Sequence, residues 1–230
     1  SGANNLGMQN GGWTVEWQGK IRPDFKILDK NGNGTIKPKE VNAYFKEIYD
    51  SKYDSGTAES FFKNMDKDSN GSVNQKEFQE YEKSSPFQPN GTSILNAILE
   101  ASDESELVTY DPSANNLSKE DIVIAVVGEY PYAEGYGDNP SIELNSYDKA
   151  VLERWYESGN QMIVIMLSGR PLIINDHVKK WNGFIAAWLP GMAGEGVSDV
   201  VFGDYSPTGK LSFSWPRDTG QLPLNEGDLN

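Results

Sequence analysis

Cysteine is absent from the 230-residue chain, which excludes disulfides, thiolate metal sites and cysteine nucleophiles together. Histidine occurs once: His177 lies beside Lys179 and Lys180 in a polar segment, reads as part of a solvated helix face, and receives no role. No run of about eighteen apolar residues exists, so no stretch is long enough to cross a membrane as a helix. Positive charge is scarce, because 20 Lys and Arg stand against 34 Asp and Glu and leave a formal net charge of −14. A surface of that sign repels a phosphate backbone, so nucleic acid is not an expected partner. Ser1-Gly2-Ala3-Asn4-Asn5 is polar and uncharged and does not form a signal peptide, as holds equally for a mature or an excised chain.

The charge that is present is unevenly placed. Residues 20–85 hold twelve basic and twelve acidic side chains, so the whole −14 falls outside them. Such a shift suggests a module of different origin set between two halves of one domain, with 20–90 inserted between 1–19 and 91–230.

Two twelve-residue loops of the EF-hand form occupy this middle segment. The first offers Asp29, Asn31, Asn33, Thr35, Lys37 and Glu40 at the ligand places, and the second offers Asp66, Asp68, Asn70, Ser72, Asn74 and Glu77. Each has side-chain oxygens at its first, third and fifth positions, glycine at the sixth (Gly34, Gly71), and a glutamate at the twelfth able to bind through both oxygens. Calcium requires these residue types because it is a hard cation that gathers roughly six to eight oxygens. The seventh position contributes a backbone carbonyl, so Thr35 and Ser72 need no particular side chain, and Lys37 brings a cation to the ninth. Ile36 and Val73 are expected to pair across the two loops. Aromatic residues at helical spacing, among them Tyr44, Phe45, Phe61, Phe62 and Phe78, flank the loops and predict helices. An isolated Asp/Asn/Gly run also suits an ordinary turn; two intact loops with aromatic helices between them point to a paired calcium module.

Beyond Gly91 the pattern changes. Thr92 or Ser93 is placed to cap a helix carrying Ile94, Leu95, Ile98 and Leu99. Continuous apolar runs at 122–128 and 162–167 read as buried strands, as do 184–189 and 211–215, with a shorter candidate at 107–110. Helices are expected after Ser146, around 176–181 and around 195–202. Alternating buried strands and helices predict an α/β fold, a mostly parallel sheet with helices on both faces, beside the all-α pair.

The run at 122–128 ends in Glu129-Tyr130-Pro131-Tyr132-Ala133-Glu134-Gly135-Tyr136-Gly137-Asp138-Asn139. Loops at the carboxyl ends of parallel strands are where open α/β sheets place ligands, and carboxylates among tyrosines suit a sugar ring. On its own the stretch fits an acidic surface loop equally well. It resembles, however, the second domain of family 3 glycoside hydrolases, the β-glucosidase and exo-β-glucanase family. The resemblance extends over 5–19, with Trp13 and Trp17, over Leu167-Ser168-Gly169-Arg170-Pro171 and over Ala187-Trp188-Leu189-Pro190-Gly191. It continues through 194–197, 202–204, 207–211 and 221–223.

The resemblance implies half of a retaining glycosidase site. Such enzymes need two carboxyl groups about 5–5.5 Å apart; in this family the nucleophile comes from an N-terminal (β/α)8 barrel, which the chain does not contain. By position Glu134 matches the general acid/base and Trp17 matches the residue that stacks on the sugar beside the cleaved bond. Glu129 is the competing carboxylate and looks instead like a residue that ties down the loop; Arg170 fits an active-site cation or a salt bridge equally. The implied ligand is a β-glucoside or β-glucan oligosaccharide, and the expected setting is periplasmic or secreted; the two EF-hand loops, which relatives usually replace by a short loop, add two Ca2+. Relative to the family, the chain starts after a helix and first sheet strand and ends before the closing segment, as a fragment would. A calcium-responsive binding module on a catalytically inert sandwich is the alternative. Because the insertion follows Trp17 closely, ordering of that clamp by calcium is a further expectation, against a tolerated surface insertion.

Overall fold

The computed structural model describes residues 2–3, 5–11, 25–49, 55–84, 91–103, 107–116, 118, 121–132, 137–225 and 227–228. Its sheet has three parallel strands in the order β3 (Ile122–Gly128), β4 (Gln161–Leu167), β5 (Gly183–Trp188). β3 and β4 pair without a shift from Ile122↔Gln161 to Gly128↔Leu167, so both strands end level. The strands are continuous apolar runs because both faces are covered. Val123, Ala125 and Val127 of β3 with Met162, Val164 and Met166 of β4 pack with Leu152 of α7 (Ser146–Glu157). Val126, Ile165 and Leu167 point the other way, onto Met8 of α1 (Leu6–Gln9), Ile94 and Ile98 of α6 (Ile94–Ala101) and Val197 of α9 (Gly194–Phe202).

Caps fix where the helices begin. Ser93 accepts from the Asn96 amide at 3.2 Å to start α6. The α7 cap is Asn145 rather than Ser146: its Oδ1 accepts from Asp148 N at 2.8 Å, while its Nδ2 donates to the Asp148 carboxylate at 3.0 Å. α8 (Asn175–Val178) is shorter than expected, closing in turns at Lys180 and Trp181.

Two expected strands are not strands. Residues 107–110 pair with no strand among the described residues, and Leu107 faces solvent. Residues 211–215 are held by side chains instead of a ladder. The Trp215 indole N–H donates to Leu172 O at 2.6 Å, and its ring meets Phe184 edge-on at 5.6 Å and Trp188 at 5.9 Å. This aromatic strap crosses the β5 side of the sheet. His177 is half-buried rather than on a fully solvated face.

Residues 25–84 form a second body: α2 (Phe25–Leu28), β1 (Thr35–Ile36), α3 (Pro38–Tyr49), α4 (Ser55–Met65), β2 (Val73–Asn74) and α5 (Gln75–Ser84). β1 and β2 pair antiparallel, Thr35↔Asn74 and Ile36↔Val73. Beneath that pair lies an apolar cluster whose buried members run from Ile27 to Phe78, including Leu28, Ile36, Val41, Phe62, Met65 and Val73. No described helix is long and apolar enough to cross a membrane.

Candidate functional site

The level ends of β3 and β4 form the floor of the site. A Cβ on Gly128 would lie 1.9 Å from Leu167 O, so glycine is required for the strands to finish this close. The next amide, Glu129 N, donates to Leu167 O at 2.9 Å and turns the chain outward.

Arg170, leaving β4, then binds both ends of the loop that follows β3. Its Nε and Nη2 donate to Glu129 Oε1 at 2.9 and 2.7 Å, and Nη1 donates to Gly137 O at 2.7 Å. The other Glu129 oxygen accepts from the Tyr132 hydroxyl at 3.0 Å, and the guanidinium sits 4.6 Å from the centre of the Tyr132 ring. That ring lies against Gly137, where an added Cβ would come within 2.4 Å of Tyr132 Cδ2. Burial, with the Glu129 carboxylate beside it, pushes the Tyr132 phenol up to about 12, so it stays protonated and donating through the neutral range. Glu129 thus ties down the loop. Glu134 and Tyr136 lie outside the described residues, as do Trp13 and Trp17.

Two buried polar residues that the sequence reading passed over organise the same end of the sheet. Asp148 is wholly buried and accepts from Gly128 N at 3.2 Å. Gln9, also wholly buried, donates to Gly191 O at 3.2 Å and accepts from Ile94 N at 3.1 Å, joining three separate segments eight residues before Trp17. A glutamine inside a glycine-rich run carries no periodic signal, so only the fold reveals it.

The twelve-residue loops share one hydrogen-bond scaffold. Asp29 accepts from Asn33 N at 3.1 Å and Gly34 N at 2.8 Å; Asp66 accepts from Asn70 N at 3.1 Å and Gly71 N at 2.9 Å. Asn33 and Asn70 each accept from the amide and hydroxyl two residues on, Thr35 and Ser72. Glu40 and Glu77 reach back to the amides of Lys37 and Asn74 at 2.9 and 3.0 Å.

Their centres differ. In the second loop, ligand oxygens of Asp66, Asp68 and Glu77 lie within 4.8 Å of one another. Glu77 Oε1 is buried and has no hydrogen-bond partner among the described residues. An anionic oxygen in that condition fits a cation ligand, because a buried carboxylate oxygen otherwise requires a donor. In the first loop, the Asn31 amide donates to Glu40 Oε1 at 2.6 Å. Lys37 sends its ammonium across to Gly71 O at 3.5 Å, and an ammonium only donates, so the ninth position offers no ligand oxygen there.

Residues 2–229 match the glycosyl hydrolase family 3 C-terminal domain. Among curated relatives, a beta-xylosidase of Formosa agariphila is 38% identical over 116 residues, 49% of this chain and 16% of that protein. A periplasmic beta-glucosidase of Salmonella typhimurium is 30% identical over 122 residues, 52% of this chain and 16% of that protein. The crystal structure of an exo-1,3/1,4-beta-glucanase from a Pseudoalteromonas species aligns with 100% of this chain and 22% of its own, at TM-score 0.63 and 29% identity. The chain therefore spans about a sixth of the length of these curated relatives. A match that runs from the first described residues through the loop after β3 to the aromatic strap leaves one assignment: the chain belongs to the family 3 glycosyl hydrolases, as their C-terminal domain.

Proposed function

We propose that this chain is the domain of a retaining β-glucosidase or exo-β-glucanase that supplies Glu134 as general acid/base and Trp17 as an aromatic sugar wall. The nucleophile comes from an N-terminal (β/α)8 barrel, and the substrate is a β-glucoside or β-glucan oligosaccharide. The observation that carries the reading is the engagement of Glu129. Both of its oxygens are taken by Arg170 and Tyr132, so neither is free to meet a glycosidic oxygen. That leaves Glu134 as the carboxylate in the family's acid/base place. Residues 20–90 are an EF-hand pair inserted between 1–19 and 91–230. They bind two Ca2+ through Asp29, Asn31, Asn33, Thr35 and Glu40, and through Asp66, Asp68, Asn70, Ser72, Asn74 and Glu77. Calcium supplies positive charge and loop order there, not chemistry on the sugar. A periplasmic or secreted location accords with the periplasmic relative.

The test is made in the full-length enzyme. Glu134→Gln lowers kcat/KM on poor leaving groups by roughly 10²–10⁴, and far less on activated aryl glycosides, which need little protonation. Glu129→Gln lacks that selectivity. The reverse pattern transfers the acid/base role to Glu129.

A further inference from the structure

Tyr130 is one of the residues at which the two bodies of this protein meet. It follows Glu129 directly and packs against both the apolar cluster of 27–78 and the cluster beneath the sheet. Tyr44 of α3 meets its ring edge-on, with centroids 6.4 Å apart and planes at 90°. The Tyr130 hydroxyl is buried, and burial together with the Asp148 charge raises its pKa, so the group is a neutral packing element at all working pH. Asp148 in turn accepts from Gly128 N, at the base of the same loop.

The first twelve-residue loop and its helices add to this contact. Lys30, second residue of the loop, lies 5.8 Å from the Tyr147 ring centre, and Lys26 of α2 donates to Tyr110 O at 3.2 Å. On α3, the twelfth-position Glu40 and the contact residue Tyr44 are four residues apart, so they sit one above the other on one helix face. A cation bound by Glu40 would act on the first turn of the helix that carries Tyr44. The second loop is joined to the first through Ile36↔Val73. Packed contacts of this kind switch between arrangements instead of deforming smoothly.

We propose that Tyr130 is a positioning residue for the reaction, held by Tyr44, and that cation occupancy of the helical module sets the placement of the Glu129–Tyr132 segment through this pair. The proposal rests on the calcium and acid/base readings above and names the regulation of that site. It differs from ordering of the Trp17 clamp in its route: the effect passes through α3 and the end of β3.

The experiment uses the full-length enzyme, with calorimetric calcium titration run beside kinetics on methyl β-glucoside and on 2,4-dinitrophenyl β-glucoside. Chelation lowers kcat/KM for the methyl glycoside about tenfold and that for the dinitrophenyl glycoside less than about twofold. Tyr44→Ala still binds calcium but shows the chelated pattern with calcium present, and Tyr44→Phe, which keeps the ring and loses only the hydroxyl facing the Tyr130 side chain, stays closer to the parent than to Tyr44→Ala. Calcium binding with equal or no change on the two substrates overturns the proposal, as does a full calcium response in Tyr44→Ala. Absence of calcium heat overturns the calcium reading and this inference with it. Loss of selectivity in Glu134→Gln overturns the acid/base reading, so the three failures are separable.

Discussion

The helical module and the carboxyl end of the sheet both gather carboxylates, but over very different spans of chain. Inside each twelve-residue loop the side-chain bonds described above join residues at most nine apart, as in Asn31 to Glu40, and the β1–β2 pairing then ties one loop to the other. At the sheet, Arg170 reaches Glu129 across 41 residues, and the two meet only because β3 and β4 end level. A local loop survives changes elsewhere in the fold. A bracket assembled from two strand ends inherits every error in their register. Damage at the sheet should therefore spread through the sheet, while damage in the loops should reach the site by way of the Tyr44–Tyr130 contact.

Gly128→Ala tests the spreading end most severely. Its Cβ would lie 1.9 Å from Leu167 O, a backbone atom that moves only if the strands part. Denaturant titration should show a loss of about 3 kcal/mol or more, a large share of the stability of an ordinary domain. In whatever fraction remains folded, calcium affinity should fall by no more than about tenfold, the size of the coupling proposed through Tyr130. Coincident loss of both would mean that the module has no independence from the sheet.

Arg170→Ala comes next. It leaves the Glu129 carboxylate, whose side chain is only 13% exposed, without its cation, and releases Gly137 O at the far end of the loop. Turnover of poor leaving groups should fall roughly 10²-fold, since displacement of a catalytic group by about 1 Å has that effect. Arg170→Lys should recover only part, because a point charge cannot hold Glu129 and Gly137 together. Full activity in Arg170→Lys would show that charge alone suffices and that the bracket geometry is incidental.

The same contrast of ranges governs what was legible in the sequence. The twelve-residue loops and the bounds of β3 follow from residue type and spacing, and the Ile36↔Val73 pair follows from the matching eighth positions of the two loops. The segments at 107–110 and 211–215 have strand composition but no strand to pair with among the described residues. Leu172, Phe184 and Trp188 claim Trp215 instead. Arg170 offered two equal readings until Glu129 stood beside it. The Tyr44–Tyr130 contact spans 86 residues and joins two bodies, so no window along the chain contains it. Glu134 and Trp17, taken from family resemblance, lie outside the described residues, and kinetics must carry their test.

Glu77→Gln and Glu40→Gln compare the two loops directly. The second loop brings Asp66, Asp68 and Glu77, with an unpartnered Glu77 oxygen among the described residues, and the first brings only Asp29 and Glu40. Since ligand charge tunes affinity, Glu77→Gln should abolish the tighter calorimetric event, weakening it on the order of tenfold or more. Glu40→Gln should remove the weaker one. If the tighter event vanishes with Glu40→Gln, charge count is not what ranks the loops.

The smallest effect is also the cleanest probe of that ranking. Asn31→Asp gives the first loop the third carboxylate that Asp68 gives the second, without altering the backbone bond from Asn33 N, which either side chain accepts. Without a cation the new carboxylate would face Glu40 Oε1, where the Asn31 amide now donates at 2.6 Å. Two like charges at that spacing repel, so the calcium-free form should lose a few tenths of a kcal/mol, as exposed like-charge pairs do. With calcium bound, the same charge becomes a ligand and affinity at this loop should rise about fivefold, roughly 1 kcal/mol. The two effects add in one observable: the rise in Tm on adding calcium should be larger in Asn31→Asp than in the parent, with a lower starting Tm in chelator. A lower starting Tm with no gain in calcium response would mean that the side chain at 31 faces Glu40 but does not bind the ion, and the loops would then differ in ligand set and not only in charge.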